Sequence, residues 1–235
     1  ERIEIRHGSD TVSITDDALY NDVAILYPSG CRGGAAVKQV SPYTGERINR
    51  FLHVAGSAHD LVLQNKMQRR LGQLTGTCFQ RCVGMDAINA LHSVTFEIDG
   101  QHGTTYHERF ISFVTAMQKR GFVIGGAMTD VKGDRSKAPH EQADPDLFVH
   151  VSRRTPEGVY LKGAKAHQTG CINAHWLLVM PTMRLGKADK DYAIVGAVPV
   201  DAAGITYIYG RQSCDTRSME GGVIDPGNRQ FGGQE

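Results

Sequence analysis

Residues 121–139, GFVIGGAMTDVKGDRSKAP, separate two kinds of sequence pattern. Before them, apolar residues recur at helical spacing; after them, apolar and polar residues alternate as in strands. Within the stretch Gly121, Gly125, Gly126 and Gly133 break any period, and Pro139 and Pro145 follow. It reads as a connecting loop rich in backbone donors. Helices followed by strands predict an α+β chain with segregated parts, not an alternating doubly wound sheet.

Four helices are expected upstream. ITDDALYNDVAILYPSG carries Leu19, Val23, Ala24 and Ile25, with Pro28 and Gly30 to stop it. GSAHDLVLQNKMQRRLGQLTG offers Ser57 as N-cap, Asp60 three residues later and Gly76 past the end. Its apolar positions are Leu61, Leu63, Met67, Leu71 and Leu74. The third helix, TGTCFQRCVGMDAINALHSV, continues through Val83, Ala87, Ala90, Leu91 and Val94. In TTYHERFISFVTAMQKRG, Phe110, Phe113, Val114 and Met117 form the inner face, and Gly121 the C-cap.

Downstream, DLFVHVSRR and GVYLKGAKA flank the turn TPEG as a hairpin. AHWLLVMPTM, DYAIVGAVPV and GITYIYGR are further strand-like runs. The expected organisation is a helical domain over 1–139 and a β domain over 140–235. The final DPGNRQFGGQE neither closes a sheet nor caps a domain, so the β part reads as stopping partway through its fold.

Charge and composition narrow the function. With 26 basic and 25 acidic residues the net charge is +1, so no bulk field favours nucleic acid or a membrane surface. No apolar run approaches a transmembrane length of about 20 residues. The charged start, ERIEIRHGSD, is not a signal peptide. Five cysteines at irregular spacing do not make a disulfide framework and fit a reducing, cytoplasmic compartment.

Cys78 and Cys82 lie four apart in helical sequence, hence on one face about 5–6 Å apart at Cβ. Such a pair suits two corners of a [4Fe–4S] cube and is poorly directed for a mutual disulfide. Packing cysteines give the same spacing. His167 and Cys171 in HQTGC are a possible completion of a zinc site instead. A radical-SAM cluster would need a cysteine where Met85 stands. Two further stretches are rich in polar groups. AMTDVKGDRS, 127–136, combines backbone amides with Lys132 and Arg135 and suits a pyrophosphate, or a solvated turn. GAKAHQTGCINAHW, 163–176, packs His167, Gln168, Thr169, Asn173, His175 and Trp176 into a loop between strands.

The segments KMQRRLGQLTGTCFQRCVGMDAINA, GAMTDVKGDRSKAP, DPDLF, GAKAHQTGCINAHW, MPTM, ADKDYAI, IYGRQSCDTR and QFGGQE, taken together and in order, resemble the 4-hydroxybutyryl-CoA dehydratase/vinylacetyl-CoA Δ-isomerase family. That resemblance implies an acyl-CoA-dehydrogenase-like fold: an N-terminal helical domain, a middle β domain and a C-terminal helical domain missing from this chain. It implies FAD and a [4Fe–4S] cluster in each protomer of a homotetramer acting on an acyl-CoA. Cys78 and Cys82 match two cluster ligands, the remaining His and Cys lying past the last residue. Met128, Thr129, Asp130, Lys132, Asp134, Arg135, Ser136, His167, Gln168, Thr169 and Gly170 match flavin-contacting loops. Gln80, Thr169 and Glu235 match catalytic positions.

The implied reaction is dehydration of 4-hydroxybutyryl-CoA to crotonyl-CoA through a ketyl radical, with isomerisation of vinylacetyl-CoA. A cluster-free, two-component flavin-dependent aromatic monooxygenase of the same fold is the alternative. A non-catalytic half of a split enzyme is a third.

Overall fold

The structure is a computed structural model that describes residues 2–7, 10–15, 38–76, 82–168 and 170–208. The chain divides into two compact units. One is Glu1–Gly125 with Asn173–Trp176, the other Gly126–Ile172 with Leu177–Glu235. The loop after residue 126 therefore groups with the second unit, not with the helices before it.

The first unit opens on an antiparallel hairpin, β1 (Arg2–His7) and β2 (Asp10–Thr15), which pairs Ile3 with Ile14 and Ile5 with Val12. No strand was expected here; the period of two is carried by four residues spaced among charges. The remainder of the helix expected near residues 14–30 lies outside the described residues. A second short pair follows, β3 (Lys38–Val40) with β4 (Arg47–Asn49).

Helix α1 (Ala58–Thr75) starts and stops where the sequence dictates. The Ser57 hydroxyl accepts the Asp60 N–H at 3.1 Å, and Asp60 Oδ2 accepts the Gly56 N–H at 3.0 Å. Gly76 ends the helix at φ 66°, a conformation that costs glycine little. Met67 and Leu71 pack with Phe51 and Met85, while Leu61, expected inward, is 53% exposed.

Helix α2 (Cys82–His102) buries Gly84, Met85, Ala87 and Ile88. This face differs from the one the large apolar residues suggested, and Val94 is 47% exposed. The reason is Gly84, where an added Cβ would stand 1.9 Å from the Ile124 carbonyl oxygen. The missing side chain lets the helix approach backbone directly. Asp99 near the end of α2 caps helix α3 (Tyr106–Arg120), accepting the Tyr106 and His107 N–H groups at 2.9 and 2.8 Å. Phe110, Val114 and Met117 of α3 are buried as expected, and Gly121 closes it at φ 64°. The α3 residue Gln118 is also buried, accepting from the Ser41 hydroxyl at 2.6 Å and donating to the Leu52 carbonyl at 2.8 Å.

Asp60 also accepts from Gln39 Nε2 at 3.0 Å and lies 3.6 Å from the buried His53 ring. The Gln39 amide above all, with the Gly56 N–H and Ser57 hydroxyl, holds its carboxyl at about 2 against the opposing effect of burial. Because the folded value is depressed, this stabilisation is complete above the ordinary carboxylate range and is lost as pH falls toward 2. Asp60→Ala is expected to remove about 2 kcal/mol at about pH 6 and almost nothing near pH 2, read by chemical denaturation at both. An equal loss at both pH values would contradict the assignment.

Strand β5 (Ile124–Ala127) occupies what the sequence presents as loop, with Ile124, Gly125 and Ala127 buried. It belongs to a three-stranded sheet of order β5–β8–β9, with β8 (Trp176–Val179) and β9 (Gly196–Pro199). In the second unit, β6 (His150–Thr155) and β7 (Gly158–Lys162) form the expected antiparallel hairpin through Pro156 and Glu157. Arg153 lies 3.7 Å over the Tyr160 ring across it. The run GITYIYGR differs from expectation: its described part, 204–208, contains no strand, and Ile208 is 87% exposed. Among the described residues no helix is long and apolar enough to cross a membrane.

Candidate functional site

Two loops of the second unit, 128–136 and 163–168, are joined side by side. Asp130 and Lys165 form an isolated antiparallel bridge, and the Ala166 N–H donates to the Thr129 carbonyl at 2.9 Å. These are the stretches in which the sequence places most candidate ligand contacts, 35 positions apart.

The bridge is reinforced by side chains. Lys165 Nζ donates to the Asp130 carboxylate, to the Met128 carbonyl at 3.0 Å and to the Met180 carbonyl at 2.8 Å. The second Asp130 oxygen accepts from the Thr182 hydroxyl at 2.8 Å. Asp130 is therefore committed to holding the loop, rather than being turned outward toward a ligand. Met128 is exposed and Thr129 half-buried beside it.

Beyond the bridge both loops turn through left-handed backbone: Lys132 at φ 75° and His167 at φ 56°. Such conformations cost a non-glycine residue about 1–2 kcal/mol, and they persist where surrounding structure enforces them. At Gly133, φ 44°, an added Cβ would lie 2.5 Å from Leu147 Cδ1. Gln142 grips the next turn, its Oε1 accepting the Asp134 N–H at 3.0 Å while Nε2 donates to the Asp134 and Lys137 carbonyls. The Ser136 hydroxyl and N–H both donate to Asp134 and hold its carboxyl below the usual range. Asp134, Arg135 and Ser136 are exposed, and Lys132 is half-buried.

On the other loop His167 is exposed and Gln168 half-buried. Gln168 Nε2 donates to the Ala166 carbonyl at 2.5 Å, while its Oε1 is buried with no hydrogen-bond partner. A buried acceptor left unsatisfied costs about 1–3 kcal/mol unless a ligand or water donates to it. Gly170 follows, half-buried; Thr169 lies outside the described residues. Two cations, Lys132 and Arg135, and one unanswered buried acceptor, Gln168 Oε1, fit a flavin dinucleotide.

Of the expected cluster pair, Cys82 lies in α2, half-buried against the Phe51, Met67, Leu71 and Met85 core. Cys78, Gln80 and Glu235 lie outside the described residues, so the shared helical face of the two thiols does too. Among the described residues no three His, Cys, Asp or Glu side chains converge as a metal site, which leaves the zinc alternative at His167 and Cys171 without a third partner there. What is present fits one thiolate ligand of a cluster.

Sequence reasoning passed over Lys165, Thr182 and Gln142, which hold the loops. Their roles rest on contacts between distant segments, and local spacing carries no trace of them.

Comparison with known proteins agrees with the resemblance drawn from the sequence. Residues 32–235 match the family model described as 4-hydroxyphenylacetate 3-hydroxylase N terminal. The chain is 55% identical over 192 residues to 4-hydroxybutyryl-CoA dehydratase/vinylacetyl-CoA-Delta-isomerase of Clostridium aminobutyricum, covering 81% of this chain and 39% of that protein. It also matches the solved structure of an oxygen-tolerant archaeal 4-hydroxybutyryl-CoA dehydratase from N. maritimus. There the TM-score is 0.76 at 67% identity, over 86% of this chain and 40% of the other. The FAD complex of the 4-hydroxyphenylacetate 3-monooxygenase oxygenase component shares the fold at TM-score 0.54 and 17% identity, over 72% of this chain and 34% of that one. The chain thus spans 39–40% of the length of the two dehydratase relatives. With a family model covering all but its first residues, this chain belongs to the 4-hydroxyphenylacetate 3-hydroxylase N-terminal family, and within it is similar to the dehydratases.

Proposed function

We propose that this chain is part of an FAD- and [4Fe–4S]-dependent 4-hydroxybutyryl-CoA dehydratase that also isomerises vinylacetyl-CoA. The observation that carries the reading is its 55% identity to the clostridial enzyme of that activity. The two bridged loops and the unanswered Gln168 acceptor support the flavin part of it. In this reading the whole enzyme has the acyl-CoA-dehydrogenase-like architecture, with a helical domain, a β domain that takes in the loop after residue 126, and a C-terminal helical domain. It works as a cytoplasmic homotetramer.

Roles follow from chemistry. Cys78 and Cys82 hold two corners of the cluster. Lys132 and Arg135 neutralise phosphate charge, Arg135 through a two-pronged contact that lysine does not make. Met128, Thr129, Asp134, Ser136 and His167 through Gly170 line the flavin, with Asp130 setting the backbone of the first loop. Gln168 Oε1 would be available to accept a hydrogen bond from the flavin. Gln80, Thr169 and Glu235 orient the acyl-CoA and its leaving hydroxyl. When bound, FAD supplies one-electron chemistry that makes an unactivated β-hydrogen removable, and the cluster supplies a Lewis acid for the hydroxyl. The protein's own part is to orient the thioester and keep water from the reacting carbon.

The test is an assay of the anaerobically purified protein, as it occurs with the rest of its enzyme, on 4-hydroxybutyryl-CoA. Crotonyl-CoA formed without added reductant supports the reading. Hydroxylation of a phenol that depends on oxygen and reduced flavin, with no dehydration, would contradict it.

A further inference from the structure

We propose that Lys165, locked to an Asp130 carboxylate that Thr182 also holds, is the positioning residue that sets both candidate flavin loops at once. The inference rests on the flavin reading above and deepens it by naming the device that shapes the site. Lys165 Nζ has three donors, and three acceptors meet it: the Asp130 carboxylate, the Met128 carbonyl and the Met180 carbonyl. Those acceptors come from two segments, and Lys165 itself from a third. Thr182 then fastens the second Asp130 oxygen to the segment that follows β8. Backbone bonds run parallel to this knot, from the Ala166 N–H to Thr129 and from the Met180 N–H to Ala127.

The side chains of Lys165 and Asp130 are only 10% and 3% exposed. A well-packed apolar pair commonly serves stability as well as a buried ion pair does. What the ion pair adds here is direction, since a tetrahedral ammonium with three fixed acceptors admits one arrangement of the three segments. The strained residues bear this out. Lys132 lies two residues past Asp130, His167 two residues past Lys165, and both hold left-handed backbone. Each loop leaves the knot and turns at the same distance from it. The turns carry Lys132 and Arg135 on one side and the Gln168 acceptor on the other. Lys165 touches none of the groups assigned to the flavin except through the Met128 carbonyl and Asp130, so it acts on binding by placing backbone.

Lys165→Met alone would strand a buried carboxylate and endanger the fold, so the test uses the full chain carrying Lys165→Met and Asp130→Leu together, beside Thr182→Val. Readouts are FAD affinity, the visible circular dichroism of bound FAD, amide hydrogen exchange and thermal unfolding. The double variant is expected to unfold near the native temperature and to bind FAD about tenfold or more weakly. The dichroism of its bound flavin changes, and amides of 128–132 and 166–168 exchange faster while the helices keep native protection. Thr182→Val, which removes one contact, weakens FAD binding about threefold. Native affinity and native dichroism in the double variant overturn the inference and leave the flavin reading standing. Protection lost throughout the chain in both variants also overturns it, because the knot then serves only the fold. A native chain that takes up no FAD overturns the flavin reading and this inference with it.

Discussion

Gly84→Ala is expected to destabilise the protein by about 3 kcal/mol or more, lowering the thermal midpoint by about 10 °C. The added Cβ would stand 1.9 Å from the Ile124 carbonyl oxygen and 2.7 Å from its carbon. Backbone cannot swing aside as a side chain does, so the start of α2 has to lift away from residue 124. The same substitution at Gly100 of the same helix meets nothing within 4 Å. There, alanine is expected to stabilise by about 0.5–1 kcal/mol through its better helix propensity. Thermal unfolding of the two variants side by side checks the contact. Similar midpoints for both would show that α2 does not rest on the backbone at Gly84. Because Gly84 follows Cys82 by two residues, Gly84→Ala should also cost iron in whatever protein remains folded.

Cys82→Ala is expected to abolish bound iron and acid-labile sulfide together, and with them dehydration, while FAD is retained. The flavin loops belong to the second unit and Cys82 to the first, so the two cofactors should separate under this change. Cys78→Ala should behave alike. Cys171→Ala is the control: Cys171 is buried, its N–H donating to the Gln168 carbonyl at 2.9 Å, and its loss should leave iron unchanged. Full iron in Cys82→Ala, or loss of iron in Cys171→Ala, would contradict the ligand assignment.

The parts of this fold that were legible in the sequence are those decided locally. Ser57 with Asp60, Gly76 and Gly121 mark helix ends because capping involves residues within one turn of each other. The hairpin through TPEG is equally local. The buried face of α2 was not legible, because the decisive feature is the absence of a side chain at Gly84, which no apolar count registers. Strand β5 was obscured by Gly125 and Gly126, whose small size reads as loop but also suits a buried strand under close contact. The order β5–β8–β9 skips β6 and β7, and alternation along one strand says nothing of its neighbour.

The candidate site divides the same way. Lys132, Arg135 and the 167–170 run stood out because cations, amides and glycines cluster within a few residues. Asp130 was grouped with them as a ligand contact, although its partners Lys165 and Thr182 turn it inward from 35 and 52 positions away. Gln168 was named for its neighbours; that its Oε1 is buried and unanswered is a property only of the folded chain.

In the proposed enzyme this chain contributes two cysteines to an iron–sulfur cluster beside a bound FAD. Iron, acid-labile sulfide and flavin are to be measured together on the anaerobically purified protein. About four iron and four sulfide per flavin are expected; flavin with no iron or sulfide overturns the cluster assignment.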